Sequence, residues 1–113
     1  MLQKLTDGEA EAFGAELVRN KQYELTHSKM AIFSWQGCVV TIEGRCQAAY
    51  LANETPMVQY LNLHTAVEQR RAVAEAEGRQ GPRVMLVGPT SAGKSTLAQM
   101  LINWAVRQQR VPL

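Results

Sequence analysis

One loop constrains this chain more than any other stretch. Gly88-Pro89-Thr90-Ser91-Ala92-Gly93-Lys94-Ser95-Thr96 fits the spacing G-x-x-x-x-G-K-[ST], the Walker A pattern. Gly88 and Gly93 are expected to supply backbone angles that a Cβ would forbid, so that successive N–H groups turn inward around a phosphate. A helix starting near Lys94 would add its free N-terminal N–H groups and the positive end of its dipole. Lys94 would reach the β- and γ-phosphates of a nucleotide, the one catalytic role this chain offers, and the Ser95 hydroxyl would ligate Mg²⁺. Pro89, Thr90, Ser91, Ala92 and Thr96 complete the cofactor-binding loop.

Both flanks agree with that reading. Val84-Met85-Leu86-Val87 is a continuous apolar run ending at Gly88, which predicts a buried parallel strand. After the loop, Leu97, Met100, Leu101, Trp104 and Ala105 recur at helical spacing and make one apolar face. Arg107 and Arg110 fall in the last turn, where the dipole favours cations. The bland alternative is a glycine-containing turn with a solvated lysine. The flanks favour a loop that binds a nucleotide phosphate, or descends from one that did.

Length then limits the rest. The 113 residues suffice for one modest core and not for two full domains. A complete P-loop domain needs further strands after its first helix and a second carboxylate for the metal. The expectation is a nucleotide domain cut where its second strand should begin. A net charge of +2 is too small to argue for nucleic acid by itself. Cys38 and Cys46 read as ordinary buried thiols of an intracellular protein. No apolar stretch approaches the length of a membrane span, which argues against a membrane partner.

Upstream of the loop the pattern changes twice. Thr6-Asp7-Gly8-Glu9 resembles a capping box before Ala10-Glu11-Ala12-Phe13, and local propensity leans to helix there. From 22 to 51, strands are predicted over 30–35, 38–43 and 46–51, joined by Gln36-Gly37 and Gly44-Arg45 as hairpin connections. Phe33, Trp35 and Tyr50 are expected in the core of this antiparallel unit. Next, Thr55 can cap a helix whose first residue is Pro56, with Met57, Tyr60, Leu61, His64 and Val67 on one face. His64 reads as a packed histidine, since no ligand pattern accompanies it. Residues 68–79 are charged and solvated, and Gly78 and Gly81-Pro82 end the helix.

Several stretches together resemble a known family, the polyribonucleotide 5′-hydroxyl-kinases, one of which is the ATP-binding subunit of pre-mRNA cleavage complex II. They are Ala10-Glu11-Ala12-Phe13-Gly14-Ala15-Glu16-Leu17, Phe33-Ser34-Trp35-Gln36-Gly37-Cys38, Thr55-Pro56-Met57, Tyr60-Leu61-Asn62-Leu63-His64-Thr65-Ala66-Val67-Glu68-Gln69, Gly81-Pro82-Arg83-Val84-Met85-Leu86-Val87-Gly88-Pro89-Thr90 and Asn103-Trp104-Ala105-Val106-Arg107. The resemblance implies an α+β fold: a truncated amino-terminal β-sandwich over 1–54 whose first strand is missing, a linking helix and hinge over 55–81, and the first β-loop-α unit of a P-loop α/β domain over 82–113. It overrides the helical leaning of residues 10–17 in favour of strand. It also implies that Phe13 stacks on adenine and that Lys29 places a cation near the ring. The glutamate that also contacts the adenine and the aspartate that activates the RNA hydroxyl would lie before Met1 and after Leu113.

The function implied is transfer of the γ-phosphate of ATP, with Mg²⁺, to the 5′-hydroxyl end of an RNA. The setting implied is the nucleus, in mRNA 3′-end processing and tRNA splicing, beside other subunits of the pre-mRNA cleavage complex or the tRNA-splicing endonuclease complex. The alternative is a non-catalytic ATP-binding scaffold subunit of the cleavage complex. As given, the chain is expected to be inactive and poorly folded alone, with Met100, Leu101 and Trp104 partly exposed.

Overall fold

The computed structural model describes residues 2–26 and 28–109. Arg110, expected in the last helical turn, lies outside them. The chain divides into two compact units, Met1–Leu51 and Ala52–Leu113.

The first unit is all β: β1 (Leu2–Gly8), β2 (Glu11–Ala12), β3 (Ala15–Glu16), β4 (Gln22–Glu24), β5 (Ile32–Phe33) and β6 (Cys38–Glu43). They form two three-stranded antiparallel sheets, in the orders β4-β1-β6 and β3-β2-β5. The chain therefore changes sheet after β1, β3, β4 and β5. Leu5, only 2% exposed, is buried with Ala10 and Ala12, and Gln3 and Glu11 are buried beside this small apolar core.

Within 10–17, residues 11–16 are strand and turn, not helix, as the resemblance implied. Ala12 pairs with Ala15 across a two-residue loop in which Phe13 (φ 51) and Gly14 (φ 86) are both left-handed. A hairpin loop with two positive φ values matches the twist of the strands it joins. The expected capping box is instead part of β1 and its exit. Thr6 sits at an irregularity in the β1–β6 register and donates from Oγ1 to the Val39 carbonyl at 3.1 Å. Gly8 (φ +78) is required by close approach: a Cβ there would collide with the Gly37 carbonyl oxygen and lie 2.8 Å from Cys38 Cα.

The strand expected over 38–43 forms as β6, whose β-branched Val39, Val40, Thr41 and Ile42 suit a pleated surface. Its neighbours differ from expectation. Only Ile32–Phe33 of 30–35 is strand, and it pairs with β2 in the other sheet. Gln36-Gly37 is thus no hairpin but a crossing between sheets, held by the Ser34 hydroxyl, which donates to the Glu9 carbonyl at 2.6 Å and accepts from the Gly37 N–H at 2.9 Å. Residues 46–51 form no strand, so Gly44-Arg45 makes no hairpin either. Without a ladder the segment is exposed: Tyr50 is 86% accessible, outside the core expected for it, and Cys46 is an exposed free thiol rather than a buried one. Trp35 is also largely exposed and packs edge-on against Phe33 with centroids 4.7 Å apart.

The second unit contains α1 (Met57–Ala76) and α2 (Lys94–Arg107). Helix α1 starts one residue later than expected. Pro56 takes the N-cap position and its carbonyl accepts from the Tyr60 N–H at 3.0 Å, leaving Thr55 outside and, among the described residues, no side-chain cap. Its end follows the expected glycine signal: Gly78 is left-handed, Gly78 N–H bonds the Glu75 carbonyl and Arg79 N–H bonds the Ala74 carbonyl at 2.8 Å. That pair of bonds satisfies carbonyls the helix itself cannot. Met57, His64, Val67 and Ala74 are buried, while the 68–79 stretch is largely solvated apart from Ala74, with an Arg71–Glu68 pair at 3.0 Å.

Two expectations fail here for related reasons. The run 84–87 forms no strand, and Val84, Met85 and Val87 are exposed. A parallel strand exists through hydrogen bonds to its neighbours, and among the described residues of this unit none pairs with it. Conversely, Met100 and Trp104 are 6% and 5% exposed, not left open, and Leu101 is half-buried. The apolar face of α2 finds its cover on α1: Trp104 lies against the His64 ring, centroids 5.6 Å apart.

Candidate functional site

Residues 88–96 lead into α2 as a tight curl. Ser91 (φ 63) and Gly93 (φ 96) are left-handed, and the residues just before each, Thr90 and Ala92, are not. Alternation of this kind turns successive N–H groups toward one side and builds anion-sized concavities. The Ala92 N–H bonds back to the Pro89 carbonyl at 3.3 Å, closing the turn. Gly93 is the N-cap of α2, its carbonyl accepting from Leu97 N–H at 2.9 Å, and no side chain among the described residues caps this end. A residue with a Cβ would be strained at that φ.

Gly88 departs from expectation. Its φ is not in the left-handed region, and a Cβ there would meet Ala92 Cβ at 3.7 Å and Lys94 Cδ at 3.8 Å, ordinary contacts. What sits over Gly88 is the lysine. Lys94 Nζ donates to the carbonyls of Gly88 and Pro89, each at 2.6 Å, so the side chain lies back across the loop that leads into its own helix. The charge is thereby held at the mouth of the curl. Ser95 is exposed on the first turn of α2, and Thr96 is half-buried.

The metal question turns on donor chemistry. Among the described residues, no three His, Cys, Asp or Glu side chains gather at one place. Mg²⁺ is commonly held by one or two protein groups with phosphates and water supplying the rest. An exposed Ser95 hydroxyl is of the donor type that such an arrangement uses when a nucleotide brings the phosphate oxygens.

Phe13 and Lys29 belong to the other unit. Phe13, half-buried, occupies the β2–β3 turn, and Lys29 is exposed on the segment between β4 and β5. The positive φ of Ser91 had no signal in the sequence, because serine is not a residue type that favours this region.

Comparison with known proteins adds to this geometry. The family model for the N-terminal β-sandwich domain of polyadenylation factor, CLP1_N, matches residues 2–74. Polyribonucleotide 5′-hydroxyl-kinase Clp1 of Gallus gallus is 52% identical over 110 residues, 96% of this chain and 26% of the chicken protein. The Homo sapiens protein of the same name has the same identity and coverage. The CLP1 homologue of Nematostella vectensis is 54% identical over 112 residues, again 96% of this chain and 26% of its own. Among solved structures, a wild-type Clp1p–Pcf11p complex aligns with TM-score 0.66 at 24% identity, over 94% of this chain and 24% of that one. A second Clp1p–Pcf11p structure, described as the basis for ATP loss in a glycine-to-arginine mutant, aligns with TM-score 0.64 at 23% identity, over 94% and 25%. At these identities the structures speak for the fold alone. Matched by the family model over most of its length, and by these relatives over nearly all of it, the chain belongs to the Clp1 family, spanning about a quarter of the curated members it matches.

Proposed function

We propose that this chain carries the phosphate-gripping part of an ATP-dependent polynucleotide 5′-hydroxyl kinase. Residues 88–96 hold the phosphates of ATP, and Lys94 moves from its carbonyl partners to the β- and γ-phosphates. The single observation that carries the reading is the position of Lys94 Nζ, 2.6 Å from both the Gly88 and Pro89 carbonyls, at the mouth of an uncapped helix N-terminus. Ser95 would hold Mg²⁺, which spreads the negative charge developing on the transferred group. In the proposed reaction the 5′-hydroxyl oxygen of an RNA end bonds to the γ-phosphorus and the bond to ADP breaks. Lys94 stabilises charge in that exchange and takes no proton; by resemblance, an aspartate beyond this stretch receives it. Phe13 and Lys29 are proposed to contact adenine.

The names of the relatives support the RNA substrate, and the Clp1p–Pcf11p complexes among the structural neighbours support partners in a pre-mRNA cleavage complex. A nuclear location and a part in mRNA 3′-end formation and tRNA splicing follow from the same reading. Among the described residues no helix is long and apolar enough to cross a membrane. The scaffold reading keeps the same ATP site without turnover.

Titration calorimetry of the full-length protein tests the site. Lys94→Ala should remove most MgATP affinity, because a point charge on the phosphates is lost. Ser95→Ala should weaken binding with Mg²⁺ present and much less without it. Unchanged affinity in Lys94→Ala would overturn the assignment.

A further inference from the structure

The second half of α1 and the segment that follows it enclose a groove that the ATP reading does not use. Gln69, Arg70 and Val73, on adjacent turns of α1, make one wall. Past the helix end the Arg79 N–H bonds the Ala74 carbonyl at 2.8 Å, and a Cβ on Gly81 would lie 3.9 Å from Arg71 Cγ. The chain thus runs beside α1, and Arg79, Gln80 and Pro82 make the second wall. The groove measures about 490 Å³, within the range of roughly 300–1,000 Å³ usual for binding pockets. Its surface mixes two kinds of group. Val73 is 51% exposed and Pro82 half-buried, which gives an apolar strip. Arg70 is exposed, and among the described residues no hydrogen bond or ion pair holds its guanidinium. Arg79 is paired with Glu77, and both are exposed.

We propose that this groove docks an acidic segment of a partner protein, its carboxylates on Arg70 and Arg79 and a neighbouring apolar side chain against Val73 and Pro82. A guanidinium holds a carboxylate through two parallel N–H···O bonds, a match of shape as well as charge. The groove already shows that chemistry once, since the Glu77 carboxylate sits on Arg79. Exposed pairs of that kind are weak, so a partner's carboxylate can exchange for Glu77. The Gln69 and Gln80 amides each offer a donor and an acceptor to a peptide backbone. A nucleic acid strand suits the groove less well. Strand binding joins a continuous positive track to aromatic stacking. No aromatic side chain lines the groove among the described residues, and Glu68, Glu75 and Glu77 are interspersed with the arginines along the sequence. The inference does not depend on the ATP site, because no residue of 88–96 lines the groove.

The test uses the full-length protein and fluorescein-labelled probes. The peptides are short glycine–serine chains with a central pair of glutamates, glutamines or lysines flanked by leucines; the fourth probe is a uridine oligonucleotide. Fluorescence anisotropy and thermal melts are recorded for wild type, Arg70→Glu, Val73→Asp and Lys94→Ala. Wild type should bind the glutamate peptide about tenfold more tightly than the glutamine peptide, and Arg70→Glu should lose that preference. Arg70→Glu should instead gain affinity for the lysine peptide, a reversal that damage to the fold cannot produce. Val73→Asp should weaken the glutamate peptide, and Lys94→Ala should bind it as wild type does. No binding of the glutamate peptide by wild type, or equal binding of the glutamate and glutamine peptides, would overturn the proposal. Unchanged binding in Arg70→Glu would do the same. Oligonucleotide binding that Arg70→Glu abolishes, without peptide binding, would assign the groove to nucleic acid instead. Loss of the peptide in Lys94→Ala would move it to the ATP loop and overturn the groove.

Discussion

Phe13 is a costly residue at its position. A two-residue hairpin loop with both φ values positive favours asparagine followed by glycine. This loop has Phe13 (φ 51) followed by Gly14 (φ 86), so only its second position has the favoured type. An aromatic side chain held in the left-handed region costs roughly 1–2 kcal/mol. Such an outlier motivates a functional hypothesis, and the proposed stacking on adenine supplies one. Phe13→Asn separates the two demands at one residue. It should leave the ligand-free hairpin at least as stable while weakening MgATP binding by about 1–3 kcal/mol, the usual worth of a stacked base. Parallel calorimetry and thermal melts of the full-length protein read both quantities. A fall in melting temperature with no change in Kd would assign Phe13 to packing.

Helix α2 offers the loop at one end and a buried contact at the other. Near its C-terminus His64 of α1 is 4% exposed, with Nε2 2.8 Å from Gln108 Oε1 and its ring against Trp104. With the ring proton on Nε2, this nitrogen donates to the amide oxygen, which only accepts. The contact ties the C-terminal end of α2 to α1. His64→Ala should destabilise the helix pair by about 2–5 kcal/mol, as for other large-to-small changes at buried positions. Gln108→Ala loses one part-buried hydrogen bond and should cost about 0.5–1.5 kcal/mol. Amide hydrogen exchange over the second half of α2 measures both, since it reports local opening free energies. Equal protection in His64→Ala and wild type would mean that packing on α1 does not hold α2.

At the scale of the whole molecule, the proposed enzyme and the proposed scaffold part company only in turnover. Phosphate transfer from labelled ATP to a 5′-hydroxyl RNA by the full-length protein, absent in Lys94→Ala, is the outcome expected of the enzyme. ATP binding and partner assembly without transfer would favour the scaffold.

The sequence by itself determined what local chemistry can decide. The β-branched run of β6, the apolar stripe of α2 and the glycine stop of α1 each follow from side-chain spacing or backbone preference, and each formed. The loop spacing also places Lys94 and Gly93 at the start of a helix, where they lie. Only the tertiary structure decided which strands pair. β5 and β6 are neighbours in sequence yet lie in different sheets, because alternation marks a strand without naming its partner. The run 84–87 reads as strand and is not one, since strand is a relation between segments and its ladder needs a partner. The burial of Trp104 and the left-handed Ser91 were equally invisible, the first set by a residue forty positions away, His64, and the second by hydrogen bonds that close around it.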